Sequence, residues 1–361
     1  MNLKEIDWFF ASYHMSYHLF LIIAIPLYLL SKTPPTGIII STIILYLLTM
    51  IGITAGYHRY FSHRSYSTNG FVETILLLLA TMAIQGSAFF WACTHRMHHR
   101  YTDSEQDPHN IKKGFFYAHM GWFLIKKDGA SKMTKPVDRS MIPDLIANKL
   151  LQFQHKYYLM LSFGSNLIIT IIIGVLFSDL LGAFIFTWWL RIFLVNHCVW
   201  FINSLAHTIG DKPYAKEQSA VDNFIMAILT LGEGYHNYHH AFPNDYRNSA
   251  KWYHFDPIKW FILLLHKARL VSSINRIDTL LVQKKLLRED KKMLLGRNLS
   301  DQDKKSIEAI SDSLEQKLTQ LFVLRKNDTN PENTSKIRKE CRQEWNQWTR
   351  LVNRSYKNIS D

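Results

Sequence analysis

Four uninterrupted apolar stretches, at residues 16 to 30, 38 to 56, 159 to 177 and 180 to 201, constrain this chain more than any other feature. A helix needs about twenty apolar residues to cross a bilayer, and lipid admits only helices or closed barrels, because nothing else satisfies the backbone there. The stretches come in pairs. SKTPPTG joins the first two, and its prolines stop a helix; Ser178 and Asp179 join the second two. Neither link can hold a domain. The sequence therefore predicts an all-α integral membrane protein with four transmembrane helices in two hairpins.

Charge supports that reading. Mean hydropathy over the whole chain is −0.07, but only because polar residues gather elsewhere. Residues 267 to 361 carry 21 Lys and Arg against 13 Asp and Glu and contain no apolar span. The hairpin links hold a single basic residue, Lys32, whereas Lys and Arg crowd the other polar segments, so both termini and the central polar region are expected in the cytoplasm. The first run follows Glu5, Asp7 and Trp8 and has no small-residue cleavage site after it, which argues against a signal peptide. Cys93, Cys198 and Cys341 lie far apart and form no CxxC, so any metal must be held by nitrogen or oxygen.

The histidines carry the chemistry. Of 17, nine fall in four clusters: His58 and His63 in HRYFSH, His95, His98 and His99 in HRMHH, His207 in NSLAH, and His236, His239 and His240 in HNYHH. At i, i+3 and i+4 on a helix, imidazoles fan across about 100 degrees of one face, enough to feed two neighbouring metals. His58 and His63 are five apart, so the helix is expected to end near His58 and let His63 turn back. Asn203 stands four residues before His207, which places an amide beside an imidazole. Nitrogen ligands without cysteine fit iron, zinc or copper rather than calcium or magnesium. Asp103, Glu105, Asp107 and Glu233 are cast as acceptors that orient ring N–H groups. His14, His18, His119, His155, His197, His254 and His266 read as solvated or hydrogen-bonded bystanders.

A fifth apolar run, Phe71 to Phe90, separates the first two clusters. If it crossed the membrane, they would face opposite compartments. It is therefore read as an interfacial or protein-buried helix, and all the clusters share one side.

HRYFSH, HRMHH and HNYHH, with NSLAH before the last, resemble the histidine pattern of integral-membrane fatty acyl desaturases of the Δ9, stearoyl-CoA desaturase-like class. GITAGYHR, DPHN, KKGFFYAHMGW and GEGYHNYHHAFPNDY extend the likeness from about Gly52 to Pro257. The resemblance implies two iron ions held by His58, His63, His95, His98, His99, His207, His236, His239 and His240, with Asn203 contributing through water. It implies O2-dependent formation of a cis double bond, at Δ9, in a saturated acyl chain. No HPGG haem-binding signature occurs, so the electron donor is expected to be a separate ferredoxin or b-type cytochrome.

The family's kinked acyl tunnel implies substrate roles for Gln85 and Trp91 at the bend, with Val199 where the family has threonine. Tyr46 and Met50 are expected near the closed end, where Met50 would shorten the tunnel. At the headgroup the sequence departs from the animal enzymes, with Gly86, Phe90 and Cys93 in place of polar CoA contacts. Lys126 and Lys127 match a basic pair. The acyl carrier therefore stays open among CoA, carrier protein and glycerolipid.

Three alternatives compete with this reading. A di-iron membrane hydroxylase would share the site, but the wording of the boxes is Δ9-like. A histidine-rich metal-binding or transport protein would need polar ligands within the spans, and there the chain offers little beyond His18 and His197. The basic tail alternates in charge and contains no nucleic-acid module, so no nucleic-acid partner is expected. The chain divides into a membrane desaturase domain, 1–270, and a charged helical extension, 271–361. Ser300 with Asp303 opens a helix carrying Ile307, Ile310, Leu314, Leu318 and Leu321 at helical spacing, and a second helix is predicted over Ser335 to Val352.

Overall fold

The computed structural model describes residues 3–125, 138–327 and 331–357. Asp7 opens the first helix by accepting the Phe9 amide, 3.2 Å away, and α1 then runs from Trp8 to Ser31. After the proline pair, α2 covers Thr36–Ser62. The fifth apolar run breaks in two: α3, Gly70–Thr81, is capped by Asn69, and α4, Ala88–Tyr101, is capped by Ser87. Between them Ile84 and Gly86 adopt positive φ, which no helix tolerates. Twelve residues are too few to span, so the break keeps this run from being a fifth crossing.

The amphipathic α5, Lys149–Lys156, leads into α6, Tyr158–Leu176, and Asp179 then caps the start of α7, Leu180–His207. Helices α1, α2, α6 and α7 are, among the described residues, the four long and apolar enough to cross a membrane, which makes this a multi-pass membrane protein. Asp179 accepts hydrogen bonds from Tyr28 Oη and from Lys32 Nζ, the latter at 2.8 Å, so one carboxylate pins the two hairpin turns together. Deeper, the buried Arg191 of α7 donates to Thr49 Oγ1 of α2 at 2.8 Å and to Asn166 of α6.

The rest of the chain returns to the histidine end. Short helices α8, Phe224–Leu229, and α9, His236–Ala241, are followed by α10, Pro257–Lys267. One antiparallel pairing joins β1, Tyr66–Thr68, to β2, Val271–Ile274, so the fold is mostly rather than wholly helical. The Asn275 amide then donates to Ser65 O at 2.8 Å. These bonds hold the chain to the first compact unit as far as Arg276.

The second unit comprises Lys212–Lys216 and Ile277–Asp361. Its described residues form three helices where the sequence predicts two: α11, Thr279–Leu295, α12, Asp301–Asn327, and α13, Pro331–Lys357. Leu287, Leu294, Ile307, Leu314, Leu318 and Trp348 build their common core. Ser300 Oγ accepts the Asp303 amide at 3.1 Å, as the capping pattern requires.

Candidate metal centre

The first two ligands depend on a change of helix type. From Gly52 to Ser62, α2 widens into a π-helix, and the His63 amide donates to His58 O, five residues back, at 3.1 Å. The expected break at His58 does not occur; i→i+5 winding brings His63 over His58 instead, with ring centroids 4.9 Å apart. Close packing accompanies the widening. A Cβ on Gly52 would lie 2.3 Å from the Ala80 backbone nitrogen, so only glycine lets α3 approach there.

On α4 the i, i+3, i+4 fan divides. His95 and His99 join His58, His63 and His239 in one buried group, while His98 joins His207, His236 and His240 in another. Within each group the candidate ligand nitrogens all lie within 4.8 Å of one another. Nine imidazoles from separate parts of the chain thus make two adjacent sets, in contact where His99 stacks on His240 at 4.3 Å between centroids.

These residues fit metal ions. Nε2 of His58 is 2.9 Å from Nε2 of His239, that of His63 is 2.7 Å from that of His95, and that of His239 is 3.0 Å from that of His99. Two nitrogens each about 2.1 Å from one ion come this close when they are adjacent in its coordination sphere. Burial, reinforced by the neighbouring imidazoles, holds His63, His95, His99, His236, His239 and His240 well below the usual histidine range, so their rings are neutral and keep a lone pair. His98 Nδ1 lies 2.8 Å from Asp107 Oδ1, while its buried Nε2 has no hydrogen-bond partner. A buried, unpaired ligand nitrogen is costly unless a cation takes it.

Acidic groups set ring orientation from behind. Glu233 Oε2 sits 2.7 Å from His58 Nδ1, and the same carboxylate, through Oε1, accepts from Arg59, itself held by Asp256. Burial alone would raise the Glu233 carboxyl, but His58 and Arg59 bring it down to about 2. Asp107 behaves alike: burial pushes up, and His98 and His109 win, to about 2. Asp103 acts at one remove. His207 Nδ1 pairs with Ser219 Oγ at 2.7 Å, and Ser219 in turn donates to Asp103 through Oγ and, at 2.7 Å, through its amide. Glu105 stays outside, 90% exposed and 3.7 Å from Lys113.

The sequence reading did not single out Ser219, Arg59, Asp256 or Asp222. Asp222 Oδ1 accepts the amides of Asn237 and Tyr238 at 2.9 and 3.1 Å, which fixes the start of α9 and so aims its three histidines. No helical spacing points to any of them: Ser219 and Asp222 act across 12 to 16 residues, and Arg59 and Asp256 on partners 174 and 197 residues away.

An apolar cavity ends at this centre. Gln85, Trp91, Val199 and Asn203 line it together with His95, and Trp91 stacks on His95 with centroids 4.9 Å apart. Gln85 accepts from Trp91 Nε1 at 3.3 Å and donates to Asn196 at 2.9 Å, so its side chain is fixed at the break between α3 and α4. Asn203 also shares a smaller pocket with His58, His95 and Glu233. Met50 is fully buried in the core beside α3 and α4. Tyr46 donates to Leu229 O at 2.7 Å. Lys126 and Lys127 lie outside the described residues.

Four helices of membrane-spanning length over two buried histidine sets define a multi-pass membrane protein suited to a pair of metal ions. The fatty acid desaturase family matches residues 34–264, and the chain belongs to that family. It is 38% identical, over 81% of its length, to a Schizosaccharomyces pombe protein described as a probable acyl-CoA desaturase, covering 62% of that protein. Acyl-CoA desaturase 1 of Saccharomyces cerevisiae is 37% identical over 72% of this chain and 50% of its own. The stearoyl-CoA desaturase of Homo sapiens is 39% identical over 60% of each. This chain thus spans between half and two thirds of the length of these relatives.

Proposed function

We propose that this protein is an O2-dependent acyl-CoA desaturase that places a cis double bond at Δ9 of a saturated chain, using two iron ions held by the nine histidines. The observation that carries the reading is the division of those histidines into two adjacent sets at the end of an apolar cavity. The names of the relatives support CoA as the acyl carrier. An unactivated methylene offers no acidic proton, so general acid–base groups have nothing to act on. Iron, when bound, supplies the activation of O2 and the abstraction of two hydrogens that no side chain can perform.

The chain's own residues do the positioning. His58, His63, His95, His99 and His239 would hold one ion, and His98, His207, His236 and His240 the other. Asn203, which lines both the cavity and the smaller pocket beside His58 and His95, would hold water at the metal centre. Trp91 and Gln85 shape the wall that bends the acyl chain past His95, and Val199 faces them. Burial keeps bulk water from this stretch. Tyr46 and Met50 are read as bounding the methyl end, and Lys126 and Lys127 as contacting the carrier's phosphate. The electron donor is a separate ferredoxin or b-type cytochrome, and the metal centre faces the cytoplasm, in keeping with the charge distribution.

Expression in a desaturase-deficient cell, with His98→Ala as control, tests this. New monoenes should appear with the wild-type chain and vanish with the variant; hydroxylated fatty acids instead of alkenes would contradict it.

A further inference from the structure

The cavity beside the metal centre has walls from two spans. Phe9, Phe10 and Tyr13 at the start of α1 line it together with Leu159 and Phe163 at the start of α6. Phe9 is 72% and Leu159 66% exposed, and both belong to helices that cross the membrane. Both sit in the first turn of their helices, where exposed apolar side chains face the lipid–water interface. The same cavity also reaches His95 and Asn203. It therefore runs from a lipid-facing rim between two spans to the ligands of the metal centre. Inside it, Tyr13 Oη and Trp122 Nε1 are buried without a protein partner. A purely hydrocarbon occupant would leave both donors unsatisfied; an ester or thioester carbonyl would accept from them.

We infer that the acyl substrate enters sideways from the bilayer, through a portal between α1 and α6 rimmed by Phe9 and Leu159, and that its carbonyl stops at Tyr13 and Trp122. This rests on the acyl-chain reading above and adds the route. A chain already dissolved in lipid slides into a dry cavity without crossing water, and its polar head remains at the interface. The route also explains why Gly86, Phe90 and Cys93 need no polar contacts for the chain to be captured.

The test uses the full-length protein in phosphatidylcholine nanodiscs and a stearoyl-CoA analogue with a photoreactive diazirine near its carboxyl end. Adducts are mapped by mass spectrometry, and stearoyl-CoA turnover is measured in parallel. The portal predicts adducts on both the Phe9–Tyr13 and the Leu159–Phe163 segments. Leu159→Trp, which adds bulk at the rim, should cut kcat/KM and labelling by about tenfold while kcat holds. Phe9→Ala, which opens the rim, should raise labelling and guards against a misfolded tryptophan variant. Adducts absent from either segment, or labelling unmoved by both variants, overturn the portal. Adducts on both segments from a wild-type protein that makes no monoene would sustain the portal and sink the desaturase reading.

Discussion

His58 and His239 are 181 residues apart in sequence, yet their Nε2 atoms lie 2.9 Å from each other. The contact needs the π-helical end of α2 on one side and the Asp222-capped α9 on the other. Behind His58, Glu233 joins that ring to the buried pair Arg59 and Asp256. The metal centre and the polar core beneath it are thus one construction.

Glu233→Gln breaks that construction at its midpoint. It leaves Arg59 buried with one carboxylate fewer and His58 without its anionic neighbour. Removing one partner of a buried ion pair costs about 3–5 kcal/mol, and Asp256 should retain part of that. The expected result is a clear fall in thermal stability together with weaker metal retention, read by a melting curve in detergent and metal analysis of the same sample. Unchanged values for both would show that Glu233 does not orient His58.

Ser219→Ala isolates orientation from coordination. Ser219 touches His207 on the ring nitrogen that faces away from the second histidine set, and Asp103 fixes the hydroxyl. Loss of such a supporting contact typically costs about 10–100-fold in metal affinity or activity. Competition with a chelator should register that drop while folding is kept, and Ser219→Thr should recover most of it. A variant that holds metal as the parent does would assign Ser219 to packing alone.

Met50→Ala tests chain-length selection. Met50 is wholly buried, so truncation leaves a cavity and costs stability, about 2–5 kcal/mol for a well-packed site. If that space extends the end of the tunnel, the ratio of stearoyl to palmitoyl turnover rises. A destabilised enzyme with an unaltered ratio would place Met50 in the core and away from the acyl terminus.

The helical extension offers a dissection. Strand β2 and Asn275 bond to residues 65 to 68, so the chain to Arg276 belongs with the membrane unit. Truncation after Arg276 should keep monoene formation within a few-fold of the full chain, whereas truncation after Val271 removes most of β2 and should lower stability. Total inactivity of a stably inserted Arg276 truncation would give α11 to α13 a catalytic part.

Much of this was legible in the sequence because its signals are local. Apolar runs report spans directly, and histidines at i, i+3 and i+4 report a shared helix face, which is why the four spans and the clustered boxes could be read. Three features were not. The π-helical winding that places His63 over His58 goes together with close packing of α3 on Gly52, a contact between helices that periodicity does not encode. The division of His98 from its neighbours His95 and His99 depends on which imidazoles arrive from α7 and α9. The supports Ser219 and Asp222 lie in irregular segments, where a lone serine or aspartate carries no positional signal. The tail differs: Asp278, whose carboxylate accepts the Leu280 amide, and Gly296 mark the two ends of α11, so this third helix was legible and is missing from the two predicted.

Metal analysis of purified intact protein bears most directly on the central claim. The account predicts about two transition-metal ions per chain, one for each nitrogen-rich ligand set and both iron under the proposed function, with His239→Ala and His98→Ala each losing metal because each removes a ligand from a different set. A well-folded wild-type protein that binds no transition metal, or binds it equally well without His98 and His239, would contradict it.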